Sequence, residues 1–367
     1  MQKLRKFINP ISLVTVWLCA IKRKSYSKTA NMKTIFKAFI LILFFACLFV
    51  SSTFAQQYFA GASVNGKWGF IDSKGNWVIQ PGFDEVRNFS DGMSCARKEN
   101  NWGFIALSGE WSIQPKYKKA KDFSEGLARV IDMKSNKWIY IDKTGKQAFN
   151  EQFENCMNFS EGRAAARASS KWGYIDKTGK YVITDKYDHA ETFSEGMGRV
   201  AIDESYGFLS PSGEWALKTN MENIRDMKDG VAPAKGKNGW GYIDRTGKEI
   251  VPTINDRAEN FSKGLGRSQF KGKWGYYDTS GKMVIAFTYD ECSNFSEGLA
   301  AVNVGKSWGY IDKTGNMVIT PQFDKALDFS GGLAPVKVGK NWGYIDKTGK
   351  MIFPAQFDDA LPFVNID

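Results

Sequence analysis

Residues 308–329 read WGYIDKTGNMVITPQFDKALDF, and shifting this stretch by a fixed step finds it again along most of the chain. The Trp–Gly slot that opens it holds Trp in eight copies and Tyr206 in a ninth. The step is 34 residues everywhere except once, where it is 36. A constant period in this range is typical of repeat proteins, whose short units bury their apolar faces on their neighbours. The tryptophans are Trp68, Trp102, Trp138, Trp172, Trp240, Trp274, Trp308 and Trp342.

Each unit predicts three short antiparallel strands joined by tight turns. In residues 298–304, small or apolar residues alternate with variable ones, which is the period of a strand. A glycine turn leads to the second strand at Trp308, and the turn D-K-T-G leads to the third at Met317. All nine units keep the glycine of this second turn, as expected where the backbone needs a positive φ. The leading Asp is predicted to accept hydrogen bonds from the amides of its own turn.

The connector after each third strand carries its apolar residues three apart. In residues 323–330 these are Phe323, Ala326 and Phe329. This spacing favours a single 3₁₀ or short helical turn packed on the sheet. The predicted fold class is therefore all-β, with nine tandem units of about 34 residues, each made of three short strands and a helical-turn connector.

The phase of the repeat favours an open array over a closed ring. The first unit starts with its first strand at Tyr58, and the ninth stops after its connector at Phe363. A closed propeller often divides one blade between the two termini, and no unit is divided in this sequence. The prediction is an open, curved, solenoid-like array, with a closed nine-bladed propeller-like ring as the alternative.

The basic character of the chain is concentrated in its first 55 residues. The 367 residues carry a formal net charge of +11, and residues 1–55 hold nine Lys or Arg and no Asp or Glu. The remaining chain has 41 basic and 39 acidic residues. A nearly neutral body gives no argument for nucleic acid as a partner.

Residues 32–55 have the layout of a secretory signal peptide. A basic segment from Met32 to Lys37 precedes an apolar run, and small residues lead to Ala55. We therefore predict an over-extended N-terminus at 1–31, a signal peptide at 32–55 cleaved near Ala55, and the repeat array at 56–367. The product would be secreted, periplasmic or at the cell surface. A leader that is kept as a membrane anchor, or a lipid on Cys47, is the alternative.

Two stretches, KWGYIDKTGK at 171–180 and NFSEGLAAV at 294–302, resemble the WG-repeat family, which is named for its Trp–Gly pair. The resemblance covers about residues 59–367. It implies an all-β repeat protein, often exported and bacterial, without a catalytic signature. The departures are Tyr206 for Trp, Ile139 for Gly, and Ala106 or Ser210 for the turn Asp, and they bear on local turn geometry.

Side chains suited to catalysis or metal binding do not form a recognisable motif. His189 is the single histidine and is predicted to be a solvated surface side chain. Cys156 and Cys292 occupy a slot that holds Ala elsewhere and are predicted to be buried, whereas Cys95 aligns with outward arginines and is predicted to be exposed. One carboxylate per D-K-T-G turn is too few for calcium. We predict no enzyme, cofactor or metal site, with a carboxylate-pair hydrolase as a residual alternative.

Two sets of outward side chains are candidates for binding. Basic residues at two outward positions of the first strands would, in register, form a cationic ridge for an anionic polymer or acidic partner, although a mixed solvated face is the plainer interpretation. The ridge is Arg97, Arg129, Arg167, Arg199, Lys235, Arg267 and Lys337. A candidate aromatic platform is Trp77, Trp111 and Trp215. The repeated Trp–Gly tryptophans are predicted instead to be structural, stacked unit on unit in the core.

The predicted function is an exported, non-enzymatic repeat scaffold that binds a protein or an anionic envelope polymer through an extended surface. A cell-wall or glycan-binding module is the alternative, because the short aromatic hairpins are similar to those of choline-binding-type repeats. Contact with a membrane is expected only through an uncleaved leader.

Overall fold

A computed structural model of the chain describes residues 56–366, and every regular element in this part is a β-strand. The predicted N-terminal segments 1–31 and 32–55, with Cys47, lie outside the described residues. Within residues 56–366, no helix is long and apolar enough to span a membrane. The strands are β1 (Tyr58–Val64), β2 (Lys67–Asp72), β3 (Trp77–Phe83), β4 (Glu85–Val86), β5 (Ser94–Lys98), β6 (Asn101–Ile105), β7 (Trp111–Tyr117), β8 (Lys119–Ala120), β9 (Ala128–Ile131), β10 (Trp138–Ile141), β11 (Asn155–Cys156), β12 (Ala164–Arg167), β13 (Trp172–Ile175), β14 (Tyr181–Tyr187), β15 (His189–Ser194), β16 (Met197–Ile202), β17 (Ser205–Leu209), β18 (Trp215–Lys218), β19 (Asn223–Ile224), β20 (Val231–Gly236), β21 (Gly239–Asp244), β22 (Glu249–Asn255), β23 (Arg257–Ala258), β24 (Leu265–Phe270), β25 (Lys273–Asp278), β26 (Met283–Tyr289), β27 (Glu291–Cys292), β28 (Leu299–Val304), β29 (Ser307–Asp312), β30 (Met317–Phe323), β31 (Lys325–Ala326), β32 (Leu333–Val338), β33 (Asn341–Asp346), β34 (Met351–Phe357), β35 (Asp359–Ala360) and β36 (Val364–Asn365).

These strands form nine antiparallel sheets, arranged in a ring as the blades of a β-propeller. Blades 2 and 4 to 9 each contain four consecutive strands, from β4–β7 in blade 2 to β31–β34 in blade 9. Blade 3 contains the three strands β8, β9 and β10. Blade 1 takes β1, β2 and β3 from the start of the described chain and β35 and β36 from its end. The predicted number of nine units is therefore confirmed, and the nine units together make one complete ring.

The predicted open array is wrong, because the blade and the repeat unit are out of phase. The connector of each repeat unit supplies the first strand of the next blade. The connector of the ninth unit therefore supplies the first strand of blade 1. Ala360 of β35 pairs with Ala62 of β1, and Val364 of β36 pairs with Phe59. The two ends thus share blade 1, and their pairing closes the ring.

The predicted helical turn in the connector is also wrong. Lys325 and Ala326 form β31, which pairs with Lys337 and Val336 of the following strand. The corresponding strand has two residues in eight blades and six in blade 5. A strand of two residues shows no period of its own, so the apolar residues three apart did not distinguish it from a turn of helix.

The layer between blades is built around the aromatic residue two places after each Trp–Gly tryptophan. Its ring lies 4.7 to 5.2 Å from the connector Phe of the next blade. The hydroxyl of Tyr310, for example, donates a hydrogen bond of 2.8 Å to the carbonyl of Leu327, which satisfies a buried phenol. The pairs are Phe70–Phe89, Phe104–Phe123, Tyr140–Phe159, Tyr174–Phe193, Tyr242–Phe261, Tyr276–Phe295, Tyr310–Phe329 and Tyr344–Phe363.

The repeated tryptophans are partly core residues but do not form the predicted stacked column. Trp102, Trp172, Trp274 and Trp342 are buried in the cores between blades, and the other four are half-buried or border them. Among the described ring contacts of the eight, none joins one of them to another, and several have a cation over the ring instead. The aromatic contacts between blades are made instead by the Tyr or Phe two residues after each tryptophan.

The glycine after each of these tryptophans is needed for close approach of the last strand of the blade. A Cβ at Gly309 would lie 2.4 Å from the carbonyl oxygen of Ile319, which no real Cβ tolerates. Blade 3 has Ile139 at this position, and there the last strand is reduced to isolated bridges, such as Trp138 with Phe153. We infer that the side chain of Ile139 holds this segment away from β10, which is the local departure that the sequence indicated.

The D-K-T-G turns have the predicted geometry. In blade 8, Oδ1 of Asp312 accepts hydrogen bonds from the amide of Thr314 (2.9 Å), its hydroxyl (2.6 Å) and the amide of Asn316 (3.0 Å). Gly315 has φ of 87°. The hydroxyl of Thr314, with the amides after it, holds the pKa of Asp312 below its ordinary value. The equivalent carboxylates with the same leading cause are Asp142, Asp176, Asp244, Asp278 and Asp346.

We expect these turns to make the fold acid-sensitive. Because their folded-state pKa values lie below the unfolded value of about 3.9, the stability they contribute is present above that pH and is lost as the pH falls through the folded values. Urea unfolding at pH 7, 4 and 3 should show a falling free energy of unfolding. A variant with Asp142, Asp244 and Asp312 changed to Asn should show a smaller fall, and an equal fall in both proteins would contradict the assignment.

Candidate functional site

Two consecutive connector positions in every blade form what we call the inner ring. All of these residues are half-buried. Equivalent residues of neighbouring blades touch directly here: Nη1 of Arg225 lies 2.6 Å from Oε2 of Glu259, one repeat further on. Blades of a propeller are closest near the axis, so we infer that these side chains face its inner side. The inner ring is Arg87, Asn88, Lys121, Asp122, Met157, Asn158, Glu191, Thr192, Arg225, Asp226, Glu259, Asn260, Ser293, Asn294, Leu327, Asp328, Leu361 and Pro362.

The inner ring has a charged sector and a less charged sector. Blades 2 to 7 supply its three Arg or Lys residues together with four of its five acids, whereas blades 8, 9 and 1 supply Leu327, Leu361, Pro362 and a single acid. In the charged sector, burial raises the pKa of Asp122 although neighbouring cations act to lower it. Burial is the main cause that lowers the pKa of Lys121, and two neighbouring arginines lower it further. The charges around blades 2 and 3 are therefore only partly compensated within the chain.

Three of the predicted ridge residues are braces that reach from one blade to the next. Nε of Arg199 donates to Oδ1 of Asp226 at 2.9 Å, and its Nη2 lies 3.3 Å from Oε1 of Glu191. Arg129 makes the same kind of contact with Asn158 and with a backbone carbonyl of blade 4. Arg267 donates to the carbonyl of Cys292, and its buried Nε has no hydrogen-bond partner among residues 56–366.

The braces explain which inner-ring oxygens are satisfied. Arg129 and Arg199 each serve the Asn or Asp of the next blade. In three blades for which the brace position of the preceding blade holds a residue other than Arg, the facing side-chain oxygen is buried without a partner in the described part of the chain. Such unpaired oxygens are costly, which gives each brace a structural role. These oxygens are Oδ1 of Asn88, Oδ1 of Asp122 and Oδ1 of Asn260.

Removing one brace should destabilise the fold measurably. The side chain of Arg199 is 15% exposed, and Arg199→Leu removes the ion-pair partner of the half-buried Asp226 and leaves Glu191 with His189 alone. We expect a loss of about 2–3 kcal/mol, below the full cost of breaking a buried ion pair because water reaches this one. Arg97→Leu is the control, since its pair with Glu85 is more exposed than that of Arg199 and contributes about 0–1 kcal/mol. Chemical denaturation measures both, and equal losses would contradict the brace.

The other four ridge residues lie against the Trp slot and are also engaged. Arg97, Lys235 and Lys337 are directly opposite the Trp of the neighbouring strand. Arg167 lies 5.4 Å from the ring centre of Trp172. Ion pairs join Arg97 to Glu85 (3.3 Å) and Lys235 to an acid of the same blade. The ridge is therefore two rows of cations, of which Arg97, Arg199 and Lys235 have acidic partners, and its binding of an anionic polymer stays a prediction.

The three platform tryptophans are not brought together. Each begins the last strand of a blade and meets, edge to face, the last aromatic residue of that strand in the preceding blade. Trp77 and Trp111 lie in neighbouring blades 1 and 2 and are half-buried, whereas Trp215 lies in blade 5 and is 39% exposed. The predicted platform is therefore distributed around the ring and has its most accessible member on blade 5.

The three cysteines within residues 56–366 are buried and free. This confirms the prediction for Cys156 and Cys292, and burial raises the pKa of Cys156 to about 11. The predicted exposure of Cys95 is wrong, because only 1% of it is accessible. Cys95 occupies the brace position of blade 2. An arginine at this position extends along the next blade, whereas a short thiol is covered by that blade. Burial raises the pKa of the Cys95 thiol as well.

The side chain of His189 is 43% exposed, as expected of a surface residue, and it also has neighbours within the protein. Its Nε2 lies 2.9 Å from Oε1 of Glu191, and its ring is 6.2 Å from that of Trp172. This places the histidine beside the Arg199 brace at the edge of the inner ring. Within residues 56–366, no group of three or more His, Cys, Asp and Glu side chains is arranged to hold a metal ion.

A second set of inter-blade contacts was missed by the sequence reasoning. In the turn before the second strand of a blade, an acidic residue accepts a hydrogen bond from the glycine amide of the next blade's turn. Glu297 accepts from the amide of Gly332 at 3.1 Å and pairs with Lys347 at 3.2 Å. The repeated order acid–Gly in this turn was the available signal. These clasps join successive blades at the end opposite the Trp slot.

Nine antiparallel blades with a first blade shared by both chain ends define a β-propeller built from tandem repeats. The chain belongs to the WG-repeat family, since the family model described as "WG containing repeat" matches residues 68–102, 102–138, 140–172, 172–204, 240–274, 274–307, 308–342 and 342–365. This confirms the resemblance seen in the sequence. The unmatched residues 205–239 include Tyr206 and the irregular fifth unit.

Comparison with known proteins supports the fold and says little beyond it. No curated protein matches the chain. A solved structure, "Crystal structure of the eukaryotic initiation factor", has a TM-score of 0.62 at 12% identity, over 84% of this chain and 98% of that one. "Dihydro-heme d1 dehydrogenase NirN in complex with DHE" has a TM-score of 0.48 at 9% identity, over 85% and 75%. Kluyveromyces lactis Hsv2 has a TM-score of 0.40 at 8% identity, over 76% and 98%. At such identities the first match shows the fold alone.

Proposed function

We propose that this propeller is a non-enzymatic binding scaffold that holds a protein partner at its inner ring. The observation that carries the proposal is the contrast between fixed and variable positions within one chain. The turn glycine is the same in all nine units, and the inter-blade aromatic pair is present in eight blade junctions. The first inner-ring position instead reads Leu, Arg, Lys, Met, Glu, Arg, Glu, Ser and Leu from blade 1 to blade 9.

Nine copies of one unit experience nearly the same packing demands. Positions that are needed for packing therefore hold similar residues in all copies. Positions that vary between copies are free of this packing requirement. The first inner-ring position is free in this sense and is half-buried in every blade, whereas the second holds Asn or Asp in seven of the nine blades. The mixture of charged and apolar sectors in the inner ring suits a protein surface, whose contacts combine a hydrophobic centre with complementary charge.

An anionic envelope polymer is a second candidate partner, favoured by the cations around blades 2 and 3. Arg87 and Lys121 from the inner ring and the Arg129 brace surround a single carboxylate, Asp122. The side chain of Lys121 makes no hydrogen bond or ion pair within the described residues. The glycan-binding alternative has one supporting observation, the accessible Trp215 on blade 5.

Site-specific crosslinking in producing cells tests the scaffold proposal. A photo-crosslinking amino acid at position 121, on the inner ring, should give a discrete adduct, and the same residue at position 306, in an exposed turn, should not. An adduct removed by protease supports a protein partner. An adduct removed only by glycan hydrolases transfers the proposal to an envelope polymer. Equal labelling at both positions contradicts an inner-ring site.

Export is part of the proposal and is supported by the layout of residues 32–55. Cell fractionation of the full chain should place it outside the cytoplasm, and N-terminal sequencing should begin near Gln56. A cytoplasmic product that keeps its leader would contradict export and leave the crosslinking result unaffected.

A further inference from the structure

The clasps between successive blades leave one junction without its acid. Blades 2 to 9 meet at seven junctions, and in six of them an Asp or Glu accepts a hydrogen bond of 2.5 to 3.1 Å from a glycine amide of the next blade. At the seventh, between blades 7 and 8, the acid position holds Lys263. The six clasped pairs are Asp91–Gly126, Glu125–Gly162, Glu161–Gly196, Glu195–Gly230, Asp229–Gly264 and Glu297–Gly332.

The cation that serves this carboxylate is nevertheless kept at the junction of blades 7 and 8. In four clasps, a Lys or Arg from the turn equivalent to D-K-T-G in the next blade adds an ion pair of 2.6 to 3.2 Å. Lys313 is the equivalent residue here, and its Nζ donates to the carbonyl of Lys263 at 2.9 Å. Lys347 holds the same place in a complete clasp, with its Nζ 3.1 Å from the carbonyl of Glu297. The cation therefore stays in position although the acid position holds Lys.

The turn itself is also unchanged. Lys263 has φ of 56°, against 50° to 54° for the six acids that it aligns with, so only the charge of the side chain is reversed. Within residues 56–366, the amide of Gly298 makes no hydrogen bond, and neither Lys263 nor Lys313 forms an ion pair. All three residues are exposed. The junction thus keeps the donors of a clasp without an acidic acceptor from the described chain.

We propose that this junction, made by Lys263, Gly298 and Lys313, binds a side-chain carboxylate from an acidic segment of another protein. In the next junction, the carboxylate of Glu297 accepts from a glycine amide at 3.1 Å and pairs with Lys347 at 3.2 Å. The incoming carboxylate accepts from the amide of Gly298 and pairs with Lys313 in the same way. These are charge-assisted contacts, and Lys263 supplies a second cation in the same turn.

The repeats themselves favour an amino-acid carboxylate. Asp or Glu fills the equivalent place in six junctions, so the spacing of amide and cation suits the side chain of an acidic residue. The donors are exposed, so salt and water weaken each contact, and the site contributes selectivity for acidic sequences more than affinity. It uses no residue of the inner ring and does not depend on a partner there.

Solution NMR of the protein labelled with ¹⁵N-glycine tests the site directly. Titration with a capped tetraglutamate peptide should give a saturable shift of the amide of Gly298, and added sodium chloride should weaken it. The amide of Gly332 already donates to Glu297, so it should stay in place as a control within the molecule. No saturable shift at Gly298, or an equal shift at Gly332, overturns the proposal.

Lys263→Glu supplies the carboxylate from the chain itself. This variant should form the clasp, weaken peptide binding by about tenfold or more, and keep or raise the melting temperature. Lys306→Glu, in an exposed turn between β28 and β29, changes the net charge equally and should leave peptide binding unaltered. Equal weakening by both variants shows a general effect of charge and overturns the proposal.

Two further probes test the class of ligand. Sulfate at the same ionic strength should move the amide of Gly298 less than tetraglutamate does, and equal binding of sulfate overturns the assignment to a carboxylate. Polygalacturonate carries its carboxylates on a glycan. Binding of polygalacturonate without binding of tetraglutamate assigns the junction to a glycan and overturns the assignment to a protein segment.

Discussion

Truncation after Phe357 opens the ring and exposes the first blade. The change removes β35 and β36, which supply all the pairing on the side of β1 opposite β2. It also removes Phe363, whose ring lies 5.2 Å from that of Tyr344 and is 1% exposed. Loss of one buried Phe costs about 3–5 kcal/mol, and the lost strand pairing adds to it. We expect a total above about 5 kcal/mol, a large part of the stability of a typical domain.

Hydrogen exchange measures where the ring opens. Amides of residues 58–64 should lose protection after truncation, while those of blades 4 to 7 should keep most of theirs. Unchanged protection of β1 would contradict closure by the two chain ends.

A matched pair of point variants separates ring closure from simple packing loss. Phe329 occupies the same connector position as Phe363 and makes the same contact, with Tyr310 at 4.8 Å. Phe329→Ala and Phe363→Ala should therefore cost similar free energy, about 3–5 kcal/mol. The chain continues through blade 9 on both sides of Phe329, whereas Phe363 is held to blade 1 only by non-covalent pairing. Exchange at β1 should thus increase in Phe363→Ala alone.

The sequence predicted the local units of this fold and not their closure. The Trp–Gly slot and the turn glycines follow from local backbone demands, which any single copy displays. Closure depends on where the blade boundary falls within the repeat, and β4 has only two residues, Glu85 and Val86, to show it. The sequence pattern places the unit boundary after the connector, whereas the blade boundary lies before it. With the boundary after the connector, no unit is shared between the two ends, and the pattern predicts an open array.

The candidate site was predictable in composition and not in role. The alternation of the first strands identified Arg129 and Arg199 as outward, and outward charges in an isolated unit are solvated. In the ring, these outward arginines point to the connector of the next blade, where Arg129 donates a hydrogen bond to Asn158 and Arg199 donates one to Asp226. The misplaced exposure of Cys95 has the same origin. Side chains that span two units depend on the angle between units, which one unit's pattern does not contain.

Replacing Gly309 by Ile should break blade 8 in the way that blade 3 is already interrupted. A Cβ there would meet the carbonyl of Ile319 at 2.4 Å and the nitrogen of Pro321 at 2.8 Å, and backbone cannot rotate away as a side chain can. The last strand must move off β29, which exposes Ile319 and weakens its contact with Gly349 of blade 9. We expect a loss of about 3–5 kcal/mol, the cost of emptying a large core site.

The reverse change, Ile139→Gly, tests the same cause with the opposite sign. Without the side chain, residues 147–153 can approach β10 and complete the ladder that now consists of bridges at Trp138 and Ile141. Hydrogen exchange should slow in this segment of blade 3 and should quicken over β30 in Gly309→Ile. Gly82→Ala is the control, because a Cβ there meets no atom closer than 3.9 Å, so it should change neither. If Ile139→Gly leaves residues 147–153 unprotected, the side chain is not what holds the strand away, and the altered sequence of the segment itself must be the cause.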